Sequence, residues 1–255
     1  MDQLEVCRGN LMSYEKSGFD REFIKYTEYQ LSVTPKAAVL IPLFIKNGQI
    51  HVLLTRRSHS VGSHKGEVSF AGGREDKQDS SIVETALREA QEEVGLDPKY
   101  VEVISTWKPS WVGVGFSNSK LSLVYPVIAI LKPGFIVHAD SSEVSEVFDV
   151  PLEFFLSSET HEHGKLSFQG KQVCYHIFRY HNSLDIVDKN VDKSEQKEGY
   201  IIWGFTGTIC MRTAVVAYGR LPSFTLVNEH EKKGLGGYIN YINNDSSVCK
   251  NESKL

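Results

Sequence analysis

Cysteine is scarce in this sequence of 255 residues, and its copies are scattered. They are Cys7, Cys174, Cys210 and Cys249, with no C-x-x-C pair among them. This spacing excludes the usual zinc-module patterns and supplies no disulfide framework. We therefore expect free thiols in a reducing compartment.

Long apolar runs are also missing. The longest stretch, Leu121 to Leu131, contains Ser122 and Pro126 and is far shorter than the roughly 18 apolar residues that a membrane span needs. The first residues lack the apolar core of a secretory signal. We expect neither a membrane partner nor a secretory leader, and we interpret residues 121–131 as a strand.

Positive charge is not in excess, since 28 Lys and Arg stand against 32 Asp and Glu, for a formal net charge of −4. A protein that binds nucleic acid over a broad surface usually has the opposite balance, so we expect no DNA partner. Any anionic ligand must be held by local basic groups or by a bound cation. The 41% of hydrophobic and 24% of charged residues are typical of a globular domain.

The apolar pattern predicts a mixed α/β domain. Runs at Ala37–Phe44 and Ile50–Thr55 flank Asn47-Gly48, which predicts a hairpin. Ser81–Val94 predicts a helix, with Ser81 as its N-cap and Gly95 just beyond its end.

Several further elements follow from the same reasoning. Strands are predicted at 67–70, 101–107, 121–131 and 173–180, and helices at 21–29, 152–156 and within 199–218. Residues 58–65 and the hydrophilic segment 188–198 are predicted as loops. Because the strands do not alternate regularly with helices, a mixed sandwich is favoured over a doubly wound parallel sheet.

Three carboxylates lie along one side of the predicted central helix. Glu89, Glu92 and Glu93 are spaced i, i+3 and i+4, and such residues share a helix face. A hard divalent cation would relieve their repulsion, Arg88 could orient one of them, and Gly73 would let its carbonyl approach. The alternative is a solvated acidic face, which does not account for the Gly-Gly pair before the helix.

This segment resembles the Nudix box, G-x5-E-x7-R-E-U-x-E-E-x-G-U, where U is aliphatic. The second half, from Arg88 to Leu96 (REAQEEVGL), matches the pattern. The first half departs from it, because Asp79 occupies the first Glu position and eight residues instead of seven separate it from Arg88. Loops tolerate insertions, and we leave Asp79 out of the expected metal ligands.

A narrower resemblance lies upstream. Leu53–Ser58 (LLTRRS) and His64–Gly73 (HKGEVSFAGG) resemble the signature of the coenzyme A diphosphatase family, L-L-T-x-R-S and H-x-G-E-V-S-F-P-G-G, with Ala71 in place of the proline. Three later segments resemble the family's E-V, V-P-L and W-G-L/M-T, namely Glu143-Val144, Val150-Pro151-Leu152 and Trp203-Gly204-Phe205-Thr206. The resemblance covers about residues 37–220.

The resemblance implies a Nudix-type α/β/α sandwich with a mixed sheet over residues 36–220, with an N-terminal extension at 1–35 and a C-terminal tail at 221–255. It implies metal-dependent hydrolysis of the pyrophosphate of coenzyme A and acyl-CoA esters, which gives 3′,5′-ADP and 4′-phosphopantetheine or its acylated form. Mg²⁺ or Mn²⁺ would be bound by Glu89, Glu92, Glu93 and Gly73, with Arg88 as the orienting residue. The implied catalytic residues are Glu92, Glu93 and Glu143, of which Glu92 and Glu143 are alternative general bases.

Substrate phosphates would be recognised by Arg57, His64 and Lys65, with Lys120 as a weaker candidate. The histidines His161, His163 and His176 show no zinc-like spacing in the sequence, and we interpret them as surface or core residues. Aromatic residues Trp107, Trp111 and Phe116 are expected to pack rather than to stack on a base.

The chain ends in Ser253-Lys254-Leu255, a tripeptide read as a peroxisomal address. We expect recognition by the import receptor and a location in the peroxisomal matrix. Alternatives for the activity are another Nudix pyrophosphatase, acting on NADH or ADP-ribose, or a CoA-binding protein without catalysis. CoA-capped RNA is a further candidate substrate, and the sequence leaves open a monomer or a homodimer.

Overall fold

The computed structural model describes residues 2–19, 28–58, 66–113, 121–168, 171–181 and 199–244. The predicted site residues His64 and Lys65, the weaker candidate Lys120, the loop 188–198 and the terminal tripeptide Ser253-Lys254-Leu255 lie outside these ranges. In the described part of the chain, no helix has both the length and the apolar character to cross a membrane.

The bounds of the elements are as follows. The strands are β1 Lys36–Lys46, β2 Gln49–Arg57, β3 Val68–Ser69, β4 Gly72–Arg74, β5 Val101–Thr106, β6 Ser110–Gly113, β7 Leu121–Leu131, β8 Val144–Pro151, β9 His161–Phe168, β10 Lys171–Tyr180 and β11 Tyr200–Trp203. The helices are α1 Gln3–Ser17, α2 Glu28–Val33, α3 Ile82–Val94, α4 Gly204–Tyr218, α5 Glu229–Glu231 and α6 Gly237–Asn244. Short 3-10 turns occupy Pro98–Tyr100, Leu152–Leu156 and Ser158–Thr160, and a π-helical turn, Lys232–Gly236, joins α5 to α6.

The larger sheet is mixed, as predicted. Its strands follow the order β3-β2-β1-β7-β5, while β4 pairs with β1, β6 with β7 and β8 with β2. Strands β1 and β7 run parallel, with Leu40 opposite Val127, and the other pairings are antiparallel. A second sheet orders β11-β10-β9 and is antiparallel throughout.

The side chains of the central strands point alternately to the two faces of the sheet, and each face has its own hydrophobic core. In β2, Val52 and Leu54 belong to one core and Leu53 to the other, because successive side chains of a strand point to opposite faces. Helix α3 packs against the second core, whereas α1, α4 and the C-terminal turns pack against the first. The three layers form an α/β/α sandwich.

The turn between β1 and β2 is the predicted hairpin. Lys46 pairs with Gln49, so the loop contains two residues, and both have positive φ: 52° at Asn47 and 77° at Gly48. These are the angles of a type I′ turn, whose twist matches that of the strands it joins.

Helix α3 begins and ends where the sequence predicts. The Ser81 hydroxyl accepts a hydrogen bond from the Glu84 N–H at 3.2 Å, and Gly95 ends the helix in the left-handed conformation, with φ of 63°. The return bond of a capping box differs from expectation, since the Glu84 carboxylate accepts from the N–H of Ser80 at 2.6 Å.

Both termini of the described chain contribute more structure than predicted. Helix α1 buries Leu11 and Tyr14 in the core beside α4. Residues 229–244, expected as part of a tail, form helical turns that bury Leu235 and Tyr238, and the Tyr238 hydroxyl donates to the Asn10 carbonyl at 2.8 Å. The helix predicted at 21–29 falls mostly outside the described residues, and the boundaries proposed at 36 and 220 stay predictions.

Candidate active site

Two adjacent glycines bring β4 against β1 and against helix α3. A Cβ on Gly72 would lie 2.3 Å from the Ala38 carbonyl oxygen, and a Cβ on Gly73 would lie 2.6 Å from the Glu89 carboxylate. Distances below 3 Å are not tolerated between such atoms. Gly72 is therefore required by the backbone of β1, whereas Gly73 leaves room for the carboxylate of Glu89.

Arg88 joins an acidic group in the loop before α3 to two acidic groups on the helix itself. Its Nε and Nη2 each lie 3.0 Å from one oxygen of Asp79, the paired geometry that suits guanidinium and carboxylate. Nη1 donates to both Glu89 and Glu92 at 2.9 Å, and Nη2 also reaches the Arg74 carbonyl at 3.1 Å. Asp79 is therefore the bidentate partner of Arg88.

Further donors fix Asp79 in this position. Its carboxylate accepts from the Thr85 hydroxyl and from the Asp76 N–H, both at 2.9 Å. Arg88 and these donors hold the pKa of Asp79 far below its ordinary value, because hydrogen bonds to the ionised form stabilise it. The inserted residue before α3 thus leaves the acid–arginine pair intact.

Glu93 is the most deeply buried carboxylate of the site, with 4% of its side chain exposed. Burial raises its pKa to about 7, and the charges of Glu89 and Glu143 add to the rise. The Gly72 N–H, which donates to Glu93 Oε2 at 3.1 Å, and the Arg57 guanidinium, 3.7 Å from Oε1, act in the opposite direction. Glu93 is poised between neutral and ionised forms near pH 7.

Glu89 and Glu92 differ in their access to solvent. Glu89 is 16% exposed and Glu92 is 59% exposed. Burial raises the pKa of Glu89 above its ordinary value, and the neighbouring charges of Glu92 and Glu143 contribute, while Arg88 opposes them. The site thus concentrates more negative charge than the single guanidinium of Arg88 can neutralise.

Glu143 is held beside these carboxylates by the chain that follows α3. The Asp140 N–H donates to the Glu93 carbonyl at 2.9 Å, and the Glu143 N–H donates to the Asp140 carbonyl at 3.0 Å. On the other side, the Ser58 N–H donates to the Glu143 carbonyl at 2.8 Å. Glu143 therefore lies between the end of β2 and the end of α3, close enough to raise the pKa of both Glu89 and Glu93.

The donor set suits a hard divalent cation. Carboxylate and carbonyl oxygens are the ligands that Mg²⁺ and Mn²⁺ prefer, and the missing side chain of Gly73 opens the space beside the Glu89 carboxylate. In the described part of the chain, the side-chain ligand atoms that meet within 4.8 Å belong to histidines and not to these three glutamates. Arg88 holds Glu89 and Glu92 on one guanidinium nitrogen, whereas Glu93 contacts the Gly72 N–H and Arg57. Glu92 is the most exposed of the three.

A pocket of about 400 Å³ opens beside these residues. Arg57, Gly72 and Gly73 line it together with residues from β1, β3, β6 and β7 and the start of α4. The α4 residues include Phe205 and Thr206, and the Thr206 hydroxyl donates to the Val68 carbonyl at 3.2 Å. In the sequence, this segment was singled out only because it resembles the W-G-L/M-T segment of the coenzyme A diphosphatase family. Its hydrophobic periodicity does not predict that it lies near β3.

Comparison with known proteins identifies the family. The NUDIX domain family model matches residues 34–169. A chloroplastic Nudix hydrolase 22 of Arabidopsis thaliana is 36% identical over 226 residues, covering 85% of this chain and 68% of the relative. The peroxisomal coenzyme A diphosphatase NUDT7 of Mus musculus is 32% identical over 222 residues, covering 87% of this chain and 86% of the relative. This chain belongs to the Nudix family, and it is a Nudix hydrolase.

Solved structures show only distant similarity to this chain. A Nudix hydrolase from M. smegmatis, RenU, is 22% identical, with a TM-score of 0.40, and the match covers 46% of this chain and 71% of that one. Nudix hydrolases act on nucleoside diphosphate derivatives with the help of a divalent metal ion, and the oxygen donors beside Gly73 are compatible with that requirement.

Substitution by alanine should affect metal binding at one glycine and stability at the other. We expect Gly73→Ala to fold normally but to bind Mn²⁺ at least about tenfold more weakly, because its methyl group displaces the flexible Glu89 carboxylate. Gly72→Ala meets backbone and should lower the free energy of unfolding by about 2–3 kcal/mol. Calorimetric Mn²⁺ titration and urea unfolding of both variants measure this contrast, and wild-type Mn²⁺ affinity in Gly73→Ala would contradict it.

Burial of Glu93 also predicts a pH dependence in the metal-free protein. Its pKa is 4.5 in the unfolded chain and about 7 in the native state, so the native state retains a proton that the unfolded chain releases. Its contribution to stability is present below about pH 4.5 and is lost as the pH rises through 7, by up to about 3 kcal/mol. Urea unfolding with a chelator at pH 5 and pH 8 should show this loss in the wild type. Glu93→Gln should lack that part of the loss, and an equally steep decline in the variant would refute the assignment.

Proposed function

We propose that this protein hydrolyses the pyrophosphate bond of coenzyme A and acyl-CoA esters in the peroxisomal matrix. The observation that carries the proposal is the ion pair of Arg57 and Glu93 at 3.7 Å. Arg57 belongs to the segment that resembles the coenzyme A diphosphatase signature, and Glu93 belongs to the Nudix helix. A residue implied in substrate recognition and a residue implied in catalysis therefore meet, although 35 residues separate them in the sequence.

Other segments of the same signature converge on this point. Glu143 lies beside the end of β2, because its carbonyl accepts a hydrogen bond from the Ser58 N–H. Thr206 lies beside β3, because its hydroxyl donates to the Val68 carbonyl. Residues from three segments of the signature, among them Arg57, Gly73 and Thr206, thus line one pocket. This convergence favours a substrate that contacts all of these segments, as a large ligand such as coenzyme A would.

The pocket has the mixed character that such a ligand requires. It is lined by Arg57, which can fork onto phosphate oxygens, and by the apolar side chains of Val124, Trp203 and Phe205. Coenzyme A combines a charged pyrophosphate with less polar groups on either side. The curated mouse relative, named as a peroxisomal coenzyme A diphosphatase, supports this choice over NADH or ADP-ribose.

Different residues would carry out phosphate binding, metal binding and proton transfer. Arg57 would bind phosphate oxygens, and Arg88, fixed by Asp79, would orient the carboxylates of Glu89 and Glu92. Glu89, Glu92, Glu93 and the Gly73 carbonyl would hold Mg²⁺ or Mn²⁺. When bound, the ion supplies charge neutralisation at the pyrophosphate and a lowered pKa of water. Glu92 and Glu143 are the candidates that would accept the proton of the attacking water.

The substrate assignment predicts a ranking that can be measured. Purified protein with Mg²⁺ should hydrolyse CoA and acetyl-CoA in preference to NADH and ADP-ribose, and it should release 3′,5′-ADP. Glu93→Gln should reduce CoA turnover by about two or more orders of magnitude, or ~3 kcal/mol of barrier, while Glu15→Gln, an exposed helical control, should not. If CoA ranks last, another Nudix pyrophosphatase is indicated; CoA binding without any hydrolysis would indicate a silent binder.

Recognition by Arg57 predicts a separate effect on substrate binding. We expect Arg57→Gln to raise KM for CoA at least about tenfold, because the paired contact of a guanidinium with phosphate is lost. Arg220→Gln is the matched control, since Arg220 follows the far end of α4 and pairs with Glu153 at 2.6 Å. Steady-state kinetics of both variants test the role, and equal KM values for the two would exclude it.

The location predicts a dependence on the last three residues. A fluorescent protein fused to the N-terminus of the chain should colocalise with a peroxisomal marker, and removal of Ser253-Lys254-Leu255 should leave it in the cytosol. Import that persists after this deletion, or targeting to another organelle, would contradict the assignment. The result bears on the location alone and leaves the activity to the kinetic tests.

A further inference from the structure

The second sheet gathers three histidines that are dispersed in the sequence. His161 and His163 are two residues apart on β9, so their side chains share one face. His176 on β10 is the direct cross-strand partner of His163. The linear spacing of these histidines does not predict this cluster, because the antiparallel register brings together residues that are distant in the sequence.

The three imidazoles offer their nitrogens to one small volume. One ligand atom from each ring lies within 4.8 Å of the other two. His161 Nε2 and His176 Nδ1 are 2.8 Å apart, and the rings of His161 and His163 meet edge to face at 4.4 Å between centroids. Zn–N bonds of about 2.0–2.1 Å would require only small movements of these side chains.

The carboxylate of Glu231 contacts one of the three histidines. His176 Nε2 lies 3.0 Å from Glu231 Oε1, and both side chains are almost completely buried, at 0% and 1% exposure. A metal-binding histidine commonly donates its second N–H to a carboxylate, which fixes the tautomer and frees the other nitrogen as a ligand. With Glu231 in this place, Nδ1 of His176 presents its lone pair toward His161 and His163.

A purely structural role does not explain a buried nitrogen of the cluster. Hydrogen bonds link His161, His176 and Glu231 in a chain, but Nε2 of His163 is buried with no hydrogen-bond partner. Burying such a group costs about 1–3 kcal/mol. Phe224 stacks on His161 at 3.5 Å and 9°, so the ring of His161 is held in place. A cation between the three rings would satisfy the orphaned nitrogen.

We propose that His161, His163 and His176 bind a divalent transition-metal ion, represented by Zn²⁺, with Glu231 orienting His176. Imidazole nitrogen favours Zn²⁺ and its neighbours, whereas Mg²⁺ prefers oxygen, so this site is chemically distinct from the carboxylates of α3. The ion links the β9–β10 hairpin to the C-terminal segment that supplies Glu231. Its role is to fix that segment against the hairpin.

Zinc binding by the intact chain tests the proposal. Purified protein is stripped with a chelator, then titrated with Zn²⁺ by calorimetry in excess Mg²⁺, which occupies oxygen-ligand sites. We expect one Zn²⁺ per chain and a higher unfolding temperature with Zn²⁺. A wild-type protein that binds no Zn²⁺ under these conditions overturns the proposal.

Variants separate ligation from packing. His163→Gln should fold as the wild type does, because no hydrogen bond of Nε2 is lost, yet it should lose Zn²⁺ binding and the rise in unfolding temperature. Glu231→Gln should weaken binding by about 10–100-fold. His138→Ala, which alters an exposed histidine, is the control and should bind normally. Wild-type Zn²⁺ affinity in His163→Gln, with folding verified by circular dichroism, would refute the site.

Discussion

The crowding of negative charge around Arg88 is the constraint on which the rest of the site depends. One guanidinium contacts Asp79, Glu89 and Glu92, while Glu93 lies buried beyond its reach and Glu143 approaches from a separate loop. Removing such carboxylates from water is costly unless compensating charge is at hand. A divalent cation would neutralise this excess negative charge. The same charge adds to the effect of burial, which is the main reason that the pKa of Glu93 is raised to about 7.

The fold supplies this arrangement by packing three layers against a mixed sheet. Strand β4 must lie directly on β1 for Gly73 to face Glu89, and the α3 end must accept the chain at Asp140 for Glu143 to approach. The opposite layer, with α1 and α4, contributes the pocket wall through Phe205 and Thr206. The candidate site residues therefore depend on contacts from both faces of the sheet.

The two clusters differ in how far the sequence revealed them. The i, i+3, i+4 spacing of Glu89, Glu92 and Glu93 is local, so the helical period alone was enough to place them on one side of α3. The omission of Asp79 from the metal ligands stays a prediction, and its pairing with Arg88 is known only from the structure. The clustering of His161, His163 and His176 was not predicted. It depends on the register between two strands, which is set by non-local pairing and cannot be inferred from a local sequence period.

By itself, the sequence determined the elements whose signals are local: the Asn47-Gly48 hairpin, the limits of α3 and the family pattern along it. Turn angles and caps follow from a few neighbouring residues. Only the tertiary structure decided which distant segments meet, such as Arg57 with Glu93 and His176 with Glu231. It also decided that α1 and residues 229–244 pack into the core. These contacts depend on the shapes of whole layers, and the free energy that selects them comes from burial summed over many residues.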